Sequence, residues 1–197
     1  MTTAVFLDRD GTLNVEKGYL RHVDDLALLP GAARAIAALN QAGILAILTT
    51  NQTGAARGFY PESHIVDLNQ RLQALLYEEA QASLDAIFYC PHLAKGTIAP
   101  YNTDCNCRKP ATGMIEMACE QFPMIQRAQS FVVGDKASDV TFAHQAGCTS
   151  ILVKTGYGER VLAGKYQALT HPPHWVCDDI VEAVHVIIRE SSHPQKN

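Results

Sequence analysis

The sequence lacks any long uninterrupted apolar stretch, and it lacks an excess of basic residues. No run approaches the roughly 20 apolar residues that a helix needs to cross a bilayer. The formal net charge is −4, from 16 Lys and Arg against 20 Asp and Glu, whereas nucleic-acid-binding domains are usually basic. Residues 1–8 lack the basic and apolar regions of a signal peptide. We therefore expect a cytoplasmic protein that binds neither membrane nor nucleic acid.

Internal repeats, low-complexity tracts and recognisable interdomain linkers are also missing. The chain has 197 residues, of which 47% are hydrophobic and 18% charged. That length suits one domain with a sizeable core, and that composition is typical of globular proteins. We expect one monomeric domain over residues 1–190, followed by a short tail over residues 191–197.

Short apolar runs alternate with longer segments that have helical periodicity. The pattern predicts strands at 4–7, 44–48, 86–89, 130–133, 149–153 and 175–177, and helices at 32–41, 62–82, 113–120, 138–146 and 180–189. The polar stretch 154–174 is predicted to be a loop. Strands that are apolar throughout favour burial on both faces. Their alternation with helices predicts an α/β fold, a Rossmann-like parallel sheet with helices on both faces.

Polar side chains follow several of the predicted strands. Asp8 and Asp10 come after the first strand, Thr50 and Asn51 after the second, and Asp135 after the fourth. In parallel α/β sheets, ligands bind outside the carboxyl ends of the strands, at the point where the strand order reverses. We expect these side chains to lie at one site.

The segment Asp8-Arg9-Asp10-Gly11 carries two carboxylates separated by one residue. One carboxylate can attack phosphorus and form an acyl phosphate, and a second can protonate the leaving oxygen and later activate water. Taken alone, an ordinary turn rich in Asp and Gly explains the segment equally well.

The first motif, with three later ones, resembles the haloacid dehalogenase-like phosphatase superfamily. That superfamily begins with DxDGT, continues with a Thr or Ser at a strand end, then a Lys ahead of a helix, then an acidic pair after a strand. Thr50, Lys109 and Asp135 match the later motifs in the expected order. The resemblance implies that Asp8 is the nucleophile and Asp10 the general acid and base, with Thr50 and Lys109 completing the catalytic set.

The same residues suit a magnesium-dependent phosphoryl transfer. Mg²⁺ prefers octahedral oxygen coordination, and Asp8, the backbone carbonyl of Asp10, and Asp135 are the candidate ligands. The transferred phosphoryl group carries charge on three oxygens. The Thr50 hydroxyl and the Lys109 ammonium are suited to hold those that the metal does not.

Two other charged residues have two interpretations each. Asp139 lies four residues after Asp135, so it either faces Lys109 or metal-bound water, or it is an ordinary acid at a helix start. Arg57 either binds a second phosphate of the substrate or is a solvated residue in a loop.

A second cluster combines Cys90, His92, Cys105 and Cys107 over a loop at 90–107. Thiolate and imidazole are preferred ligands of tetrahedral Zn²⁺, and four protein ligands close its coordination shell. The pattern predicts a structural zinc site. The alternative is a set of unligated loop thiols beside a surface histidine. The cluster immediately precedes Arg108 and Lys109, so zinc would fix the segment that carries both cations.

This combination resembles two phosphatase groups, the heptose bisphosphate phosphatases and the histidinol-phosphate phosphatase domains. Both carry DRDGT, TNQ and a Cys/His loop before CRKP. The long loop and the Gly18-Tyr19 pair look closer to the D-glycero-D-manno-heptose 1,7-bisphosphate 7-phosphatases. That resemblance implies hydrolysis of the C7 phosphate through a phosphoaspartate, the alternative being histidinol phosphate or another small phosphomonoester. It implies substrate contacts from Glu16, Lys17, Gly18, Tyr19, Asn51, Gln52, Thr53, Arg108 and Lys136.

Some of these contacts have a simpler explanation. Asn51 and Gln52 would equally serve to satisfy loop backbone groups, and Lys17 would serve as a surface charge. The assignment of Arg108 as a phosphate ligand is more specific, because a guanidinium group can bind a phosphate bidentately.

The spacing of the motifs leaves no insertion long enough for a separate cap domain. The resemblance therefore implies a capless haloacid dehalogenase-like fold with a fairly open site, in which the zinc loop forms a partial wall. A noncatalytic binding module on the same fold would lack one of Asp8, Asp10, Lys109 or Asp135, and all four are present.

Overall fold

Six strands and six α-helices alternate along residues 2–192, the part of the chain that the computed structural model describes. The strands are β1 (Ala4–Leu7), β2 (Leu45–Asn51), β3 (Ala86–Cys90), β4 (Phe131–Gly134), β5 (Thr149–Val153) and β6 (Trp175–Cys177). The helices are α1 (Ala32–Gln41), α2 (Glu62–Ala80), α3 (Gly113–Gln121), α4 (Ala137–Ala146), α5 (Gly158–Leu162) and α6 (Ile180–Ser192).

The strands form one parallel sheet in the order β3-β2-β1-β4-β5-β6. From β1 the chain adds β2 and then β3 on one side of the sheet, and it then crosses back to add β4, β5 and β6 on the other side. The order therefore reverses between β1 and β4, so their carboxyl ends flank the crevice where such sheets bind ligands. The predicted α/β architecture is confirmed.

Helices cover both faces of the sheet. Val5 and Leu7 of β1 belong to the core that includes α1, α2 and α6. Ala4 and Phe6 belong to the opposite core, which includes α3 and α4. Strands β1 and β4 are therefore apolar at every position, as two-sided burial requires, whereas β2 and β5 also contain buried Thr and Ser residues. The edge strand β6 is different, because Trp175 and Val176 are exposed.

The prediction that 154–174 is a loop was wrong for Gly158–Leu162, which forms α5. Five residues are too few to give a helical hydrophobic period. The helix is stabilised by Val161, which packs in a small core with Ala137, Val140 and Leu152. A side chain at Gly158 would collide with the Val153 carbonyl oxygen, so a glycine is needed there.

Several predicted boundaries moved by one to three residues; strand β2, for example, continues to Asn51 instead of ending at residue 48. Helix α2 ends at Ala80 instead of residue 82, because Gln81 adopts a left-handed conformation with φ of 53°. Helix α6 continues to Ser192, two residues beyond the expected domain end. The rest of the predicted tail, 193–197, lies outside the described residues. Within residues 2–192, no helix has the length and apolar character needed to span a membrane.

Candidate active site

The predicted catalytic residues meet at the carboxyl ends of β1, β2 and β4. The Lys109 ammonium lies 2.8 Å from Asp8 Oδ1 and 2.6 Å from Asp139 Oδ1. It also donates a hydrogen bond of 2.9 Å to the Thr49 carbonyl oxygen. Lys109, Asp8 and Asp139 are each 4% exposed or less. Residues 101 positions apart in the sequence therefore form one buried ion-paired cluster.

Burial and charge act in opposite directions on these groups. Burial alone would raise the pKa of Asp8, but the ammonium groups of Lys109 and Lys136 outweigh it and hold that pKa well below its usual range. Burial would likewise lower the pKa of Lys109, and the carboxylates of Asp139 and Asp8 raise it instead. Asp8 is therefore ionised at neutral pH, the state in which a carboxylate is nucleophilic.

Three oxygens converge on a single cationic group beside this pair. The Lys136 ammonium lies 3.3 Å from Asp8 Oδ2, 3.3 Å from the Asp10 carbonyl oxygen and 2.9 Å from Asp135 Oδ1. These are the same three groups that the sequence predicts as magnesium ligands. Their convergence on a positive charge shows that the donor set fits a cation.

The wider cluster contains more acidic than basic groups. Carboxylate oxygens of Asp8, Asp135 and Asp139 lie within 4.8 Å of one another. Burial raises the pKa of Asp135 to about 7, because the attraction of Lys136 only partly offsets it. Burial also raises the pKa of Asp139. A divalent cation would relieve this repulsion, since its charge favours ionised carboxylates.

Asp135 is held by backbone of the segment 154–174, which the sequence predicts to be a loop. Its Oδ2 accepts a hydrogen bond of 2.8 Å from the Tyr157 N–H. A side chain at Gly11 or Gly156 would collide with that same carboxylate. Thr155 Oγ1 donates to the Gly11 carbonyl oxygen at 2.6 Å and joins the two glycine loops. The available signal in the sequence was the Thr-Gly-Tyr-Gly run at 155–158, which is separated from the end of β5 by one residue.

Asp139 fulfils both interpretations that the sequence left open. One oxygen pairs with Lys109, and the other accepts the Lys136 backbone N–H at 3.1 Å. The second contact caps the start of α4. The side chain is thus a helix-start acid and a partner of Lys109 at once.

The end of β2 and the residue that follows it hold other parts of the site; Thr50 and Asn51, expected to follow the strand, are its last two residues. Asn51 Oδ1 accepts the Lys109 backbone N–H at 3.0 Å, and Asn51 Nδ2 donates to the Lys109 carbonyl oxygen at 3.2 Å. Gln52 Nε2 donates to Thr50 Oγ1 at 2.9 Å and to Asp10 Oδ2 at 2.8 Å. Gln52 is only 4% exposed, so its side chain lies within the protein and orients Thr50 and Asp10.

The other residues that are expected to contact the substrate lie at the edge of the site, and together they are called its rim. Glu16 Oε2 lies 3.5 Å from the Lys136 ammonium, and Tyr19 Oη lies 3.3 Å from Thr53 Oγ1. The Arg57 guanidinium stacks over the Tyr19 ring at 5.8 Å. On the same segment, Gly18 adopts a φ of 74° and is exposed. Lys17 instead donates to the Asp25 carbonyl oxygen at 2.8 Å.

Sequence reasoning missed Arg9, the middle residue of the first motif. It is 1% exposed and forms an ion pair of 3.1 Å with Asp10. The charged residue in an otherwise buried strand-to-turn segment was the available signal, because arginine is almost never fully buried without a partner.

The four residues of the predicted zinc site come together. Sulfur–sulfur distances are 3.5 Å for Cys90–Cys105 and 3.4 Å for Cys105–Cys107. His92 Nδ1 lies 3.3 Å from Cys107 Sγ and 3.8 Å from Cys90 Sγ. A tetrahedral site with Zn–S bonds of about 2.3 Å has ligand–ligand edges near ~3.8 Å. The geometry fits a closed zinc site.

The loop that carries these ligands is attached to the rest of the domain. Tyr101 Oη donates to Glu62 Oε2 at 2.8 Å, and the Ala56 carbonyl oxygen accepts the Thr97 N–H at 2.8 Å. Arg108 Nη1 donates to the His92 carbonyl oxygen at 3.3 Å. Arg108 also lines a cavity of about 370 Å³ together with Lys95 and Lys109. This cavity lies beside the zinc loop and is also lined by Asp104.

Comparison with known proteins agrees with this geometry. Residues 106–183 match the HAD-hydrolase-like family model. The chain is 45% identical to a D-glycero-D-manno-heptose-1,7-bisphosphate 7-phosphatase of Thermosynechococcus vestitus, over 92% of this chain and 93% of that protein. It is 35% identical to the corresponding D-glycero-beta-D-manno enzyme of Haemophilus influenzae, over 96% and 98% of the two chains.

A solved structure shares the fold closely. The D,D-heptose 1,7-bisphosphate phosphatase from B. bronchiseptica, complexed with magnesium and phosphate, superimposes with a TM-score of 0.83 at 32% identity. The alignment covers 96% of this chain and 99% of that one. That neighbour therefore carries both a divalent metal and the product anion of a phosphatase on the same fold.

The two roles of Asp139 can be separated by substitution. Asp139→Asn keeps the oxygen that caps α4 and removes the charge that faces Lys109, whereas Asp139→Ala removes both. We expect either variant to lower kcat on a phosphomonoester roughly tenfold to a hundredfold, because Lys109 loses an anion that orients it. The alanine variant should be less stable than the asparagine variant by about 1 kcal/mol, from the lost cap. Steady-state kinetics and urea unfolding measure the two effects; full kcat in Asp139→Asn would leave only the capping role.

Proposed function

From the premise that this chain belongs to the heptose-1,7-bisphosphate 7-phosphatase family of haloacid dehalogenase-like hydrolases, we propose that it removes the C7 phosphate of D-glycero-D-manno-heptose 1,7-bisphosphate. The enzyme is a phosphoric monoester hydrolase. The observation that supports the proposal most directly is the buried Asp8 carboxylate, ionised and paired with Lys109 at 2.8 Å, in a family whose relatives act on this sugar bisphosphate.

The first half-reaction transfers the phosphoryl group to Asp8. An Asp8 oxygen attacks phosphorus, the bond from phosphorus to the C7 oxygen breaks, and Asp10 gives its proton to the departing oxygen. Thr50 and Lys109 hold phosphoryl oxygens as negative charge spreads over them. Since Gln52 Nε2 already donates to Thr50 Oγ1, the hydroxyl proton of Thr50 is free for the phosphoryl group.

The second half-reaction returns the enzyme to its starting state. Asp10 is now a carboxylate, and it takes a proton from a water molecule that attacks phosphorus. The bond between phosphorus and Asp8 breaks, which releases inorganic phosphate and restores the Asp8 carboxylate. One carboxyl group thus serves as acid and then as base.

We propose that Mg²⁺ binds to Asp8, the Asp10 carbonyl oxygen and Asp135. The support is the convergence of these three oxygens on one positive charge, and the excess of buried carboxylates around them. When bound, the ion supplies charge neutralisation for the transferring phosphoryl group. Lys136 would then be available to the substrate, beside Glu16.

We propose a structural Zn²⁺ in the Cys90, His92, Cys105 and Cys107 cluster. Its function is to fix the adjacent Arg108 and Lys109. Arg108 would bind the second phosphate of the substrate, and the exposed rim of Gly18 and Tyr19 would contact the sugar. The cytoplasmic location and the monomeric state expected from the sequence stay predictions.

The substrate proposal is tested by phosphate release from a panel of phosphomonoesters with Mg²⁺. We expect the highest kcat/KM on D-glycero-D-manno-heptose 1,7-bisphosphate, with one phosphate released per molecule and heptose 1-phosphate left as product. A hexose bisphosphate and histidinol phosphate serve as comparators, and Asp8→Asn is the control without the nucleophile. Phosphorus NMR identifies which phosphate leaves. A higher kcat/KM on histidinol phosphate, or release of the C1 phosphate, would contradict the proposal.

The zinc proposal predicts about one Zn²⁺ per chain in protein purified without chelator. Cys107→Ala should lose that zinc and also lower kcat/KM, because a displacement of about 1 Å can cost on the order of a hundredfold in rate. The loss should be larger on the bisphosphate than on a small monophosphate, since only the bisphosphate uses Arg108. Cys119→Ala is the matched control, since that cysteine lies in α3 outside the cluster. Elemental analysis showing an active enzyme free of zinc would refute the site.

A further inference from the structure

Arg9 is the largest fully buried side chain in the described part of the molecule, and the mechanism above gives it no task. Its guanidinium has five N–H groups in a planar fork. Nε and Nη2 lie 3.3 and 3.2 Å from Asp10 Oδ1, and Nη2 also lies 3.1 Å from Asp10 Oδ2. The guanidinium therefore contacts both oxygens of the carboxylate that acts as acid and base.

The far side of the guanidinium is tied to helix α2. Arg9 Nη1 donates to Asn69 Oδ1 at 3.2 Å, and Asn69 is 4% exposed. Nη2 also donates to Gln52 Oε1 at 2.9 Å. A continuous set of hydrogen bonds thus runs from the buried face of α2, through Arg9, to Asp10.

Within residues 2–192, the Asp10 carboxylate accepts hydrogen bonds from two other side chains. Asn14 Nδ2 donates to Oδ1 at 3.0 Å and Gln52 Nε2 to Oδ2 at 2.8 Å. Gln52 is itself held by Arg9, so loss of the guanidinium weakens that contact as well. With Arg9 removed, one side-chain donor remains that does not depend on it.

We propose that Arg9 and Asn69 are positioning residues for the proton transfer, and that they act through Asp10 without touching the substrate. This inference rests on the proposed function, because it requires Asp10 to protonate the leaving oxygen. A carboxyl group transfers a proton efficiently only within hydrogen-bond reach and in the correct orientation. The bidentate Arg9 contact, anchored by Asn69, fixes that orientation before the substrate arrives.

This role has a kinetic signature that a purely structural role lacks. A sugar oxygen leaves poorly unless it is protonated, whereas p-nitrophenolate is a stable anion and leaves without a proton. Misorientation of Asp10 should slow phosphoryl transfer from the sugar and leave transfer from p-nitrophenyl phosphate nearly unchanged. The ratio kcat/KM is the quantity to compare, because it reports the steps up to departure of the leaving group. Later hydrolysis of the phosphoenzyme, common to both substrates, does not enter it.

The experiment measures kcat/KM of Arg9→Met on the heptose bisphosphate and on p-nitrophenyl phosphate. We expect a loss of roughly tenfold to a hundredfold on the bisphosphate and no more than about threefold on the aryl ester. Arg9→Lys should show much of the same selective loss, because an ammonium cannot replace a bidentate fork. Equal losses on both substrates, or no loss on the bisphosphate, would overturn the proposal.

Asn69 gives a second test that keeps the buried charge. Asn69→Leu removes the oxygen that Arg9 Nη1 contacts and should lower the ratio of sugar to aryl activity, while Asn69→Asp keeps an oxygen there and should restore it. Asn40→Leu is the matched control: Asn40 also makes two hydrogen bonds, both to the Ser83 backbone, away from the site. It should change stability without changing the ratio. If Arg9→Met fails to fold, the comparison of Asn69→Leu with Asn69→Asp tests the proposal by itself. An unchanged ratio of sugar to aryl activity in Asn69→Leu would refute the positioning role.

Failure of the proposed function would look different. If the wild-type enzyme did not hydrolyse the bisphosphate, or if Asp8→Asn still hydrolysed the aryl ester, the substrate or the chemistry assigned to Asp8 would be contradicted. Neither result depends on Arg9.

Discussion

The ion pair between Lys109 and Asp8 is the contact on which the rest of the site depends. It joins the end of β1 to the segment that follows the zinc loop, and both partners are almost fully buried. Breaking a buried pair by removing one partner leaves an uncompensated charge, which is strongly destabilising. Asp8 can therefore remain ionised inside the protein because Lys109, together with Lys136, is held beside it.

The contacts that hold Lys109 come from three directions. Asn51, at the end of β2, makes two hydrogen bonds to the Lys109 backbone. Asp139, at the start of α4, forms an ion pair with the Lys109 ammonium. The Cys/His cluster restrains the residues that precede Lys109. Asp10, the proposed general acid, is held by Arg9, which is in turn bonded to α2. The carboxylates of Asp8 and Asp10 thus have different side-chain partners, although Lys136 contacts both Asp8 and the Asp10 carbonyl oxygen.

Much of this arrangement was predictable from the sequence. The strand at 149–153 and the helix at 32–41 matched the structure at both ends, because an apolar run or an apolar face is bounded by polar or glycine residues. The candidate site carboxylates Asp8 and Asp135 could be found because each directly follows a buried strand. Helix α5 was missed because five residues carry no period. The inward orientation of Gln52 was missed because it depends on Arg9, 43 residues away in the chain. The partners of Arg9 were missed because they include Asn69, 60 residues away.

The central claim is that Asp8 carries the phosphoryl group between substrate and water, and rapid-quench mass spectrometry tests it most directly. Enzyme mixed with the bisphosphate and quenched in acid during turnover should contain a phosphoryl group on the peptide that includes Asp8. The adduct should be absent from Asp8→Asn. In Asp10→Asn it should accumulate when an aryl phosphate is used, because hydrolysis of the intermediate loses its base. Complete turnover with no phosphorylated Asp8 peptide at any time would contradict the account.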